Sequence, residues 1–426
     1  MCRDERWSVL RVRDLSVAFG HHKDGESAET PVQVTDRVSF EISAGEFFAL
    51  VGESGCGKSV TAMGILRLLP WPGAQIVNGS VMYCAKEGEA PVDLTKISLA
   101  DLQKVRGSGI ACIFQEPMQA LDPVVTIKKQ LLEVFKFSGR NERNVQIPGQ
   151  ARNDAKNSAR NDAESQARND AKSSARNDVK NSARNDAESQ ARNDEKNDAR
   201  NDEKNSARND VKGSRARENT KEKNLAEIRE MLLLAGFKDP DRVLDSYPHE
   251  LSGGMLQRVC IVMALLPKPK LIIADEPTTA LDVTVQAQVL AVLKDMANRT
   301  GTAVLLITHN MGIVSQYADR VAVMYAGRIV ECGPVRDVID NPMHPYTQGL
   351  LAAIPENHSD MRNLRSIPGS VPHARDFVKG CRFADRCEKC MNAPAEIQAR
   401  CRSNELPPCV GEDAPHYANC FLAADS

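Results

Sequence analysis

Residues 50–61 read Leu-Val-Gly-Glu-Ser-Gly-Cys-Gly-Lys-Ser-Val-Thr, and this stretch decides the fold. It contains the complete pattern G-x-x-x-x-G-K-[ST], from Gly52 to Ser59. The apolar run 46–51 predicts a buried strand before it, and residues 59–69 predict a helix after it. A strand, a glycine-rich loop and a helix in this order bind phosphate, because the loop amides and the helix N-terminus point at the anion. The sequence therefore predicts a nucleoside triphosphate site.

Within this loop, Lys58 is expected to reach the β- and γ-phosphates, and the Ser59 hydroxyl is expected to ligate Mg²⁺. The residues predicted to contact the nucleotide are Gly52, Glu53, Ser54, Gly55, Cys56, Gly57, Lys58, Ser59 and Val60. A thiol among amides at a helix N-terminus should have a lowered pKa. We therefore expect alkylation of Cys56 to inactivate the protein, and bound nucleotide to protect it.

Composition and charge narrow the function classes. The 426 residues allow two or more domains, and an apolar content of 42% supports a sizeable core. A net charge of −2 provides no electrostatic case for nucleic acid as a partner. The charged N-terminus predicts no signal peptide, and no run of about 18 apolar residues predicts a membrane span. Any association with a membrane is therefore expected to go through a partner protein.

The front end of the chain predicts an antiparallel β subdomain. Residues 7–19 and 32–42 alternate between apolar and polar side chains, and a polar loop separates them. Phe19 ends the first of these strands, where its ring could stack on a purine base. A core phenylalanine is the alternative that the residues alone leave open.

Three more predicted strands end in side chains suited to metal or phosphate chemistry. These side chains are Gln115, the pair Asp275 and Glu276, and His309. In open α/β sheets, ligands bind at the carboxyl ends of the strands. Asp275 is then expected near Mg²⁺, and Glu276 near the water that attacks the γ-phosphate. Gln115 could reach the metal or this water, with an ordinary surface glutamine as the alternative.

Residues 247–258 contain a second candidate anion site. Ser252-Gly253-Gly254 precedes an apolar helix predicted over residues 255–266. The N-terminus of that helix is almost free of side chains, so its amides are open to a phosphate. The chain therefore carries two candidate phosphate-binding turns that are well separated in sequence.

Residues 151–214 form a tandem repeat in which Ala-Arg-Asn-Asp recurs every eight residues. The spacers carry almost no apolar side chain, so the segment cannot bury enough surface to offset the entropy of ordering. A fluctuating helix is the alternative. We interpret residues from about 141 to about 220 as a disordered insert without a catalytic role. It would interrupt a helical subdomain over about 116–265.

Together these elements resemble the ATP-binding subunit of an ABC transporter, from about Val9 to Pro355 apart from the repeat. The matching motifs are Walker A at 52–59, the Q-loop at Gln115, the signature at 251–257, Walker B at 271–276, the D-loop at 278–282 and the switch histidine at His309. The resemblance implies an α/β P-loop NTPase core of the RecA-like type that uses ATP and Mg²⁺. It also implies an ABC ATPase domain over residues 1–333 and a C-terminal extension over residues 334–426.

The resemblance assigns a role to each site residue. Catalysis is assigned to Glu276, His309 and Gln115, and Mg²⁺ binding to Ser59, Gln115 and Asp275. Two such ATPases close head to tail in this family, so that each nucleotide lies between the Walker A loop of one chain and the signature of the other. The residues implied in these further nucleotide contacts are Ser252, Gly253, Gly254, Gln257 and Asp282, with Phe19 as the stacking ring.

Three stretches, 114–124, 281–288 and 341–355, resemble the bacterial dipeptide/oligopeptide (and nickel) importers. This implies an ATPase at the cytoplasmic face of the bacterial inner membrane, docked on two transmembrane permease subunits. A second ATPase, identical or paralogous, and an extracytoplasmic solute-binding protein complete the implied assembly. The alternatives are an ATPase of a nickel or other solute importer, an exporter ATPase, and a soluble ABC ATPase acting on nucleic acid. The last class usually carries coiled coils or two fused cassettes, which this chain lacks.

The predicted C-terminal extension, residues 334–426, is called the C-terminal segment from here on. It is rich in cysteine, with six of the twelve cysteines after residue 380. Its pattern resembles the four-cysteine tail of peptide-importer ATPases, which is associated with a [4Fe–4S] cluster. That resemblance implies Cys381, Cys387, Cys401 and Cys420 as ligands, while Cys390 and Cys409 are extra. Four thiolates suit tetrahedral Zn²⁺ equally well, and free structural thiols are the third interpretation.

Overall fold

The computed structural model describes residues 7–20, 31–70, 73–137, 218–279, 281–354, 367–411 and 414–424. The tandem repeat at 151–214, for which the sequence predicts disorder, lies outside these ranges. The chain divides into two units, residues 1–143 with 230–426, and residues 144–229. Within the second unit the structure describes residues 218–229, which are helical. The paragraphs below concern the first unit.

The strands of the described ranges are β1 (Ser8–Phe19), β2 (Val32–Ser43), β3 (Phe47–Val51), β4 (Ala74–Tyr83), β5 (Val92–Asp93), β6 (Ile110–Ile113), β7 (Leu271–Asp275), β8 (Ala303–Thr308), β9 (Arg320–Tyr325), β10 (Arg328–Pro334), β11 (Cys409–Val410) and β12 (Tyr417–Asn419). The helices are α1 (Lys58–Ile65), α2 (Leu99–Val105), α3 (Pro117–Ala120), α4 (Ile127–Phe137), α5 (218–234), α6 (Pro240–Asp245), α7 (Gly253–Leu265), α8 (Val283–Thr300), α9 (Met311–Tyr317), α10 (Val335–Asp340), α11 (Pro345–Ala352), α12 (Glu388–Met391), α13 (Ala395–Arg402) and α14 (Phe421–Ala424).

The larger sheet has eight strands in the order β11-β12-β10-β9-β3-β8-β7-β6. Its five strands from β9 to β6 run parallel to one another. Every residue of β3 and of β8 is buried. Continuous apolar strands of this kind are typical of a parallel sheet covered on both faces. The prediction of an α/β core is therefore confirmed.

The register of the parallel strands brings their carboxyl ends to one edge. Val51 of β3 pairs with Thr308 of β8, and Asp275 of β7 pairs with Ile307 of β8. Ile113 of β6 pairs with Ala274, so this fourth strand ends at the same level. The loops that follow β3, β6, β7 and β8 therefore start side by side. This edge carries the candidate site.

A second sheet, with strand order β2-β1-β4-β5, confirms the predicted antiparallel β subdomain. Val17 and Leu15 of β1 lie against Gly64 of α1, where an added Cβ would stand 3.3 Å from Val17. Next to this contact, Thr35 Oγ1 of β2 accepts a hydrogen bond from the backbone N–H of Val17 at 2.9 Å. The antiparallel sheet therefore packs directly on the helix that follows the phosphate loop.

The C-terminal segment continues the larger sheet. β12 pairs antiparallel with β10, and the predicted domain boundary between residues 333 and 334 falls inside β10. The Nε2 atom of partly buried His416 lies 2.7 Å from the fully buried Glu331 carboxylate, which fixes this tail to β10. Phe383 packs at ring-centroid distances of 5.1 Å from Tyr325 and 5.3 Å from Tyr346. The segment thus shares its core with β9 and β3.

This packing predicts the effect of truncating Phe383. Phe383→Ala should lower the free energy of unfolding by about 3–5 kcal/mol, because a buried aromatic ring is replaced by a cavity. Val378→Ala, at a half-exposed site of the same segment, should change it by less than about 0.5 kcal/mol. Urea unfolding of the full chain measures both changes. Equal shifts in the two variants would show that Phe383 does not anchor the segment.

Candidate functional site

The loop 52–58 connects β3 to α1 at the carboxyl edge of the parallel sheet. Gly52 lies so close to the Met324 carbonyl that a Cβ at this position would collide with it. Gly57 precedes α1 with φ +106°, a conformation that side chains rarely adopt. Both glycines are therefore required by geometry, as expected for a tight turn, and phosphate binding by this turn stays a prediction.

Lys58 is buried at the start of α1, and its ammonium group lies inside the loop. Its Nζ donates to the carbonyl of Gly52 at 2.8 Å and to the carbonyl of Glu53 at 3.1 Å. A buried cation held by two neutral carbonyls is available to an anion that enters the turn, because charge-assisted hydrogen bonds are stronger than neutral ones. Of the other loop residues, Ser54 and Gly55 are exposed.

Ser59 and Asp275 meet although they lie 216 residues apart in sequence. The Ser59 hydroxyl donates to Asp275 Oδ1 at 3.0 Å, joining α1 to the end of β7. Burial raises the pKa of Asp275, the hydrogen bond from Ser59 opposes this, and the nearby charge of Glu276 adds to the rise. A half-buried carboxylate next to a hydroxyl is a donor set that suits Mg²⁺, since a hard cation takes oxygen ligands. The two predicted ligands therefore fit a magnesium ion bound with a nucleotide.

Glu276 and His309 also come together as predicted. His309 Nδ1 lies 3.3 Å from Glu276 Oε1, and Thr279 Oγ1 donates to Glu276 Oε2 at 2.8 Å. Burial would raise the pKa of Glu276, but the hydrogen bonds from Thr279 and His309 outweigh it and lower that pKa. Glu276 also has φ +44°, a strained value for a residue other than glycine. An ionised, oriented carboxylate at this edge can act as a general base.

Gln115 and Phe19 stand in the predicted elements. Gln115 is exposed just beyond β6, which pairs with β7 next to Asp275. Phe19 is half-buried at the end of β1, between Val32 and Ala74. The roles of Gln115 at the metal and of Phe19 at the base both stay predictions.

The second anion turn caps α7. Ser252 and Gly253 are exposed, and Ser252 Oγ accepts a hydrogen bond from the backbone N–H of Met255 at 3.4 Å. Gln257, by contrast, is 1% exposed, so its side chain does not share the surface of Ser252 and Gly253. Burial thus argues against the predicted contact between Gln257 and a nucleotide. Asp282 is exposed and caps α8, accepting from the backbone N–H of Val285 at 2.9 Å.

The prediction that Cys56 has a lowered pKa is wrong. Its side chain is fully buried, and burial raises the pKa of the thiol, against the opposing charge of Lys58. The helix N-terminus favours a thiolate only where the sulfur keeps enough solvation to carry charge. The Cys56 side chain therefore serves as a small apolar filler under the loop, and the predicted inactivation by alkylation loses its basis.

The cysteine tail forms a buried group of thiols. Cys387, Cys390, Cys401 and Cys420 are each at most 5% exposed. Burial raises the pKa of Cys387 to about 11 and that of Cys381 to about 12, and neighbouring cysteines contribute to both shifts. The thiols are therefore close together, and Cys390, which the tail pattern left over, is one of them.

Nevertheless, the described parts of the chain contain no group of three or more His, Cys, Asp or Glu side chains placed to hold a metal ion. Cys387 Sγ instead accepts a hydrogen bond from the backbone N–H of Cys390 at 3.3 Å, and His416 pairs with Glu331. Metal ligation needs converging deprotonated donors. The described residues therefore give no support to the predicted [4Fe–4S] cluster or its zinc alternative, and they favour the third interpretation, free structural thiols.

Two residues of the C-terminal segment contact the phosphate loop and were not predicted. Arg386 makes a two-fold salt bridge with the carboxylate of Glu53, and Tyr346 Oη accepts a hydrogen bond from the Glu53 backbone N–H. These partners lie roughly 300 residues from the loop in sequence. No local pattern signals such a contact.

No helix in the described ranges has the length and apolar composition needed to cross a membrane.

Comparison with known proteins supports the assignment of these motifs. Residues 35–279 match the family model of the ABC transporter, and residues 330–393 match that of the oligopeptide/dipeptide transporter, C-terminal region. The chain is 36% identical to the oligopeptide transport ATP-binding protein AppD of Bacillus subtilis, with 97% of each chain covered. It is 37% identical to the probable peptide ABC transporter ATP-binding protein y4tR of Sinorhizobium fredii, covering 97% of this chain and 94% of the relative.

A third relative is the dipeptide transport ATP-binding protein DppD of Bacillus subtilis. It is 35% identical, and the alignment covers 89% of this chain and 86% of the relative. All three similarities therefore extend over most of both chains. The match to the oligopeptide/dipeptide transporter model, residues 330–393, overlaps the C-terminal segment.

The burial of Cys56 predicts its reactivity. In the native chain, iodoacetamide should modify Cys56 at least about tenfold more slowly than the exposed Cys409, because only an accessible thiolate reacts. After unfolding in urea the two rates should converge. Mass spectrometry of the cysteine-containing peptides over time measures both. Labelling of Cys56 in the native chain as fast as that of Cys409 would instead support the prediction of a lowered pKa for the Cys56 thiol.

Proposed function

The chain belongs to the ABC transporter family and is an ATP hydrolase coupled to transport; from this membership we propose that it powers the import of peptides. The observation that carries this proposal is the meeting of the loop 52–59, Asp275, Glu276 and His309 at one sheet edge. We infer that this edge supplies the parts that phosphoryl transfer to water requires: an anion turn, a metal-binding pair and a general base.

The residues of this chain divide the work of hydrolysis. Lys58 and the loop amides bind and orient the phosphates, while Ser59 and Asp275 hold Mg²⁺. When bound, Mg²⁺ and ATP supply the metal charge and the phosphoanhydride bond that is cleaved. Glu276 accepts the proton of the attacking water, and Thr279 and His309 keep its carboxylate ionised and aimed. Gln115 is proposed to link the metal site to the permease.

A second ATPase completes the site. Family membership implies a dimer of ATPases on membrane permease partners. Ser252 and Gly253 lie exposed at the N-terminus of α7, whose first backbone N–H groups have no acceptor within the helix; the Ser252 side chain caps the N–H of Met255. We infer that they contact the nucleotide held by the loop 52–59 of the other subunit, with Asp282 at the same interface.

Peptide is the proposed solute because of the C-terminal match and the names of the relatives. The proposed assembly has two transmembrane permease subunits, with this chain peripheral on the cytoplasmic face of the inner membrane. A solute-binding protein is proposed to deliver the peptide outside. Nucleic acid is not a proposed partner, since the net charge is −2.

Glu276→Gln tests the general base. The variant should bind ATP as the wild type does but hydrolyse it at least about a hundredfold more slowly, because glutamine cannot take up the proton. It should also accumulate as an ATP-bound dimer, visible by size-exclusion chromatography with light scattering. Steady-state phosphate release measures turnover. Wild-type turnover in this variant would remove Glu276 from the mechanism.

Uptake by cells tests the solute. A strain lacking this subunit should lose uptake of radiolabelled di- and oligopeptides, and a plasmid carrying the wild-type gene should restore it. The Glu276→Gln variant should not restore uptake, although it preserves the fold and the nucleotide site. Loss of nickel uptake with intact peptide uptake would instead favour the metal importers.

A further inference from the structure

Glu53 is an acidic residue of the phosphate loop, and each of its polar groups has a hydrogen-bond partner. Its backbone N–H donates to Tyr346 Oη at 2.9 Å, and its backbone carbonyl accepts from Lys58 Nζ at 3.1 Å. Its two carboxylate oxygens accept from Arg386, at 2.8 Å from Nη1 and 3.0 Å from Nη2. The residue is thus held from outside the loop by two side chains of the C-terminal segment.

Contacts other than the salt bridge with Glu53 also hold the Arg386 side chain in place. Its side chain is 9% exposed and lies over the ring of Tyr325, whose hydroxyl accepts from Nη1 at 3.3 Å. Nε donates to the carbonyl of Pro368 at 2.7 Å, and Nη2 donates to the carbonyl of Gly369 at 3.2 Å. A planar guanidinium with this many fixed contacts presents a rigid fork to a carboxylate.

The charge of Glu53 matters because the loop binds a polyanion. A free carboxylate beside the phosphates would repel them, and the repulsion is strong where burial limits screening by water. The field of this carboxylate reaches into the loop: burial raises the pKa of Cys56, and the charge of Glu53 adds to that rise. Arg386 cancels the Glu53 charge and holds the carboxylate on the side of the C-terminal segment.

We propose that Arg386 is a positioning residue that sets the affinity of the phosphate loop for ATP by neutralising and holding Glu53. Tyr346 assists by fixing the Glu53 amide. The C-terminal segment then contributes to nucleotide binding within its own chain, in addition to any role in transport. This inference rests on the proposed ATPase function and assigns it a further pair of residues.

Two single substitutions distinguish an electrostatic role of the Arg386–Glu53 pair from a purely structural one, because they should shift the Kd for Mg²⁺–ATP in opposite directions. Arg386→Gln leaves the carboxylate uncompensated and should weaken the Kd for Mg²⁺–ATP about tenfold, with kcat changed less than about threefold. Glu53→Gln removes the repelling charge and leaves the cation, so its Kd should be tighter than that of the wild type. The double variant should recover to within about threefold of the wild type. Isothermal titration calorimetry of the full chain measures Kd, and phosphate release gives KM and kcat.

Matched variants exclude a general loosening of the segment. Arg382 precedes Arg386 by one turn, is also buried, and pairs with Asp36 at 2.9 Å instead of Glu53. Arg382→Gln should therefore leave the Kd for ATP unchanged. Arg386→Lys keeps the charge and, even if Arg386→Gln folds poorly, should bind ATP more tightly than that variant.

The outcomes are distinct. Weaker binding in both Arg386→Gln and Glu53→Gln, without recovery in the double variant, would reduce the pair to a structural role and overturn the inference. Unchanged binding in Arg386→Gln would overturn it as well. A wild-type chain that fails to bind ATP would instead refute the proposed function itself.

Discussion

The level ends of the parallel strands are the constraint on which this structure depends. Each strand is buried on both faces, so polar side chains have a place only where a strand ends. The pairing of Val51 with Thr308 and of Asp275 with Ile307 puts those ends at one height. A shift of one residue between β7 and β8 would separate Glu276 from His309, and a shift in either pairing would separate Ser59 from Asp275. The chemistry of the site is therefore a consequence of strand register.

Much of this could be predicted from sequence because its signals are local. Gly52 and Gly57 report backbone conformations that other residues resist, and apolar runs report buried strands. Strand ends then indicate which polar residues converge. What could not be predicted depends on packing from afar. The motif around Cys56 suggested a reactive thiol, while contacts from distant residues bury it completely. Gln257 is also buried, although Gly253 at the start of the same helix is exposed.

The C-terminal cysteines show the difference between proximity and ligation. The resemblance to a four-cysteine tail implied four ligands, and the thiols do lie near one another. Burial nevertheless raises the pKa of Cys381, Cys387, Cys401 and Cys420, and His416 is committed to Glu331. A pattern of cysteines records which residues can approach, but it does not record the directions of their sulfur atoms. In this fold the cysteines fill the interior of a small segment that packs on β9 and β10.

The placement of Arg386 links this packing back to the phosphate loop. Phe383 packs against the rings of both Tyr325 and Tyr346, and Cys387 follows as the cap of α12. Arg386 stands between these two anchors, so its position is set by the core of the segment on both sides. A glutamate in a phosphate-binding turn would be costly by itself, because it opposes the charge that the turn must bind. It is tolerable here because the same chain supplies a rigid cation against it. The loop and the C-terminal segment therefore depend on each other electrostatically, as well as through shared apolar packing.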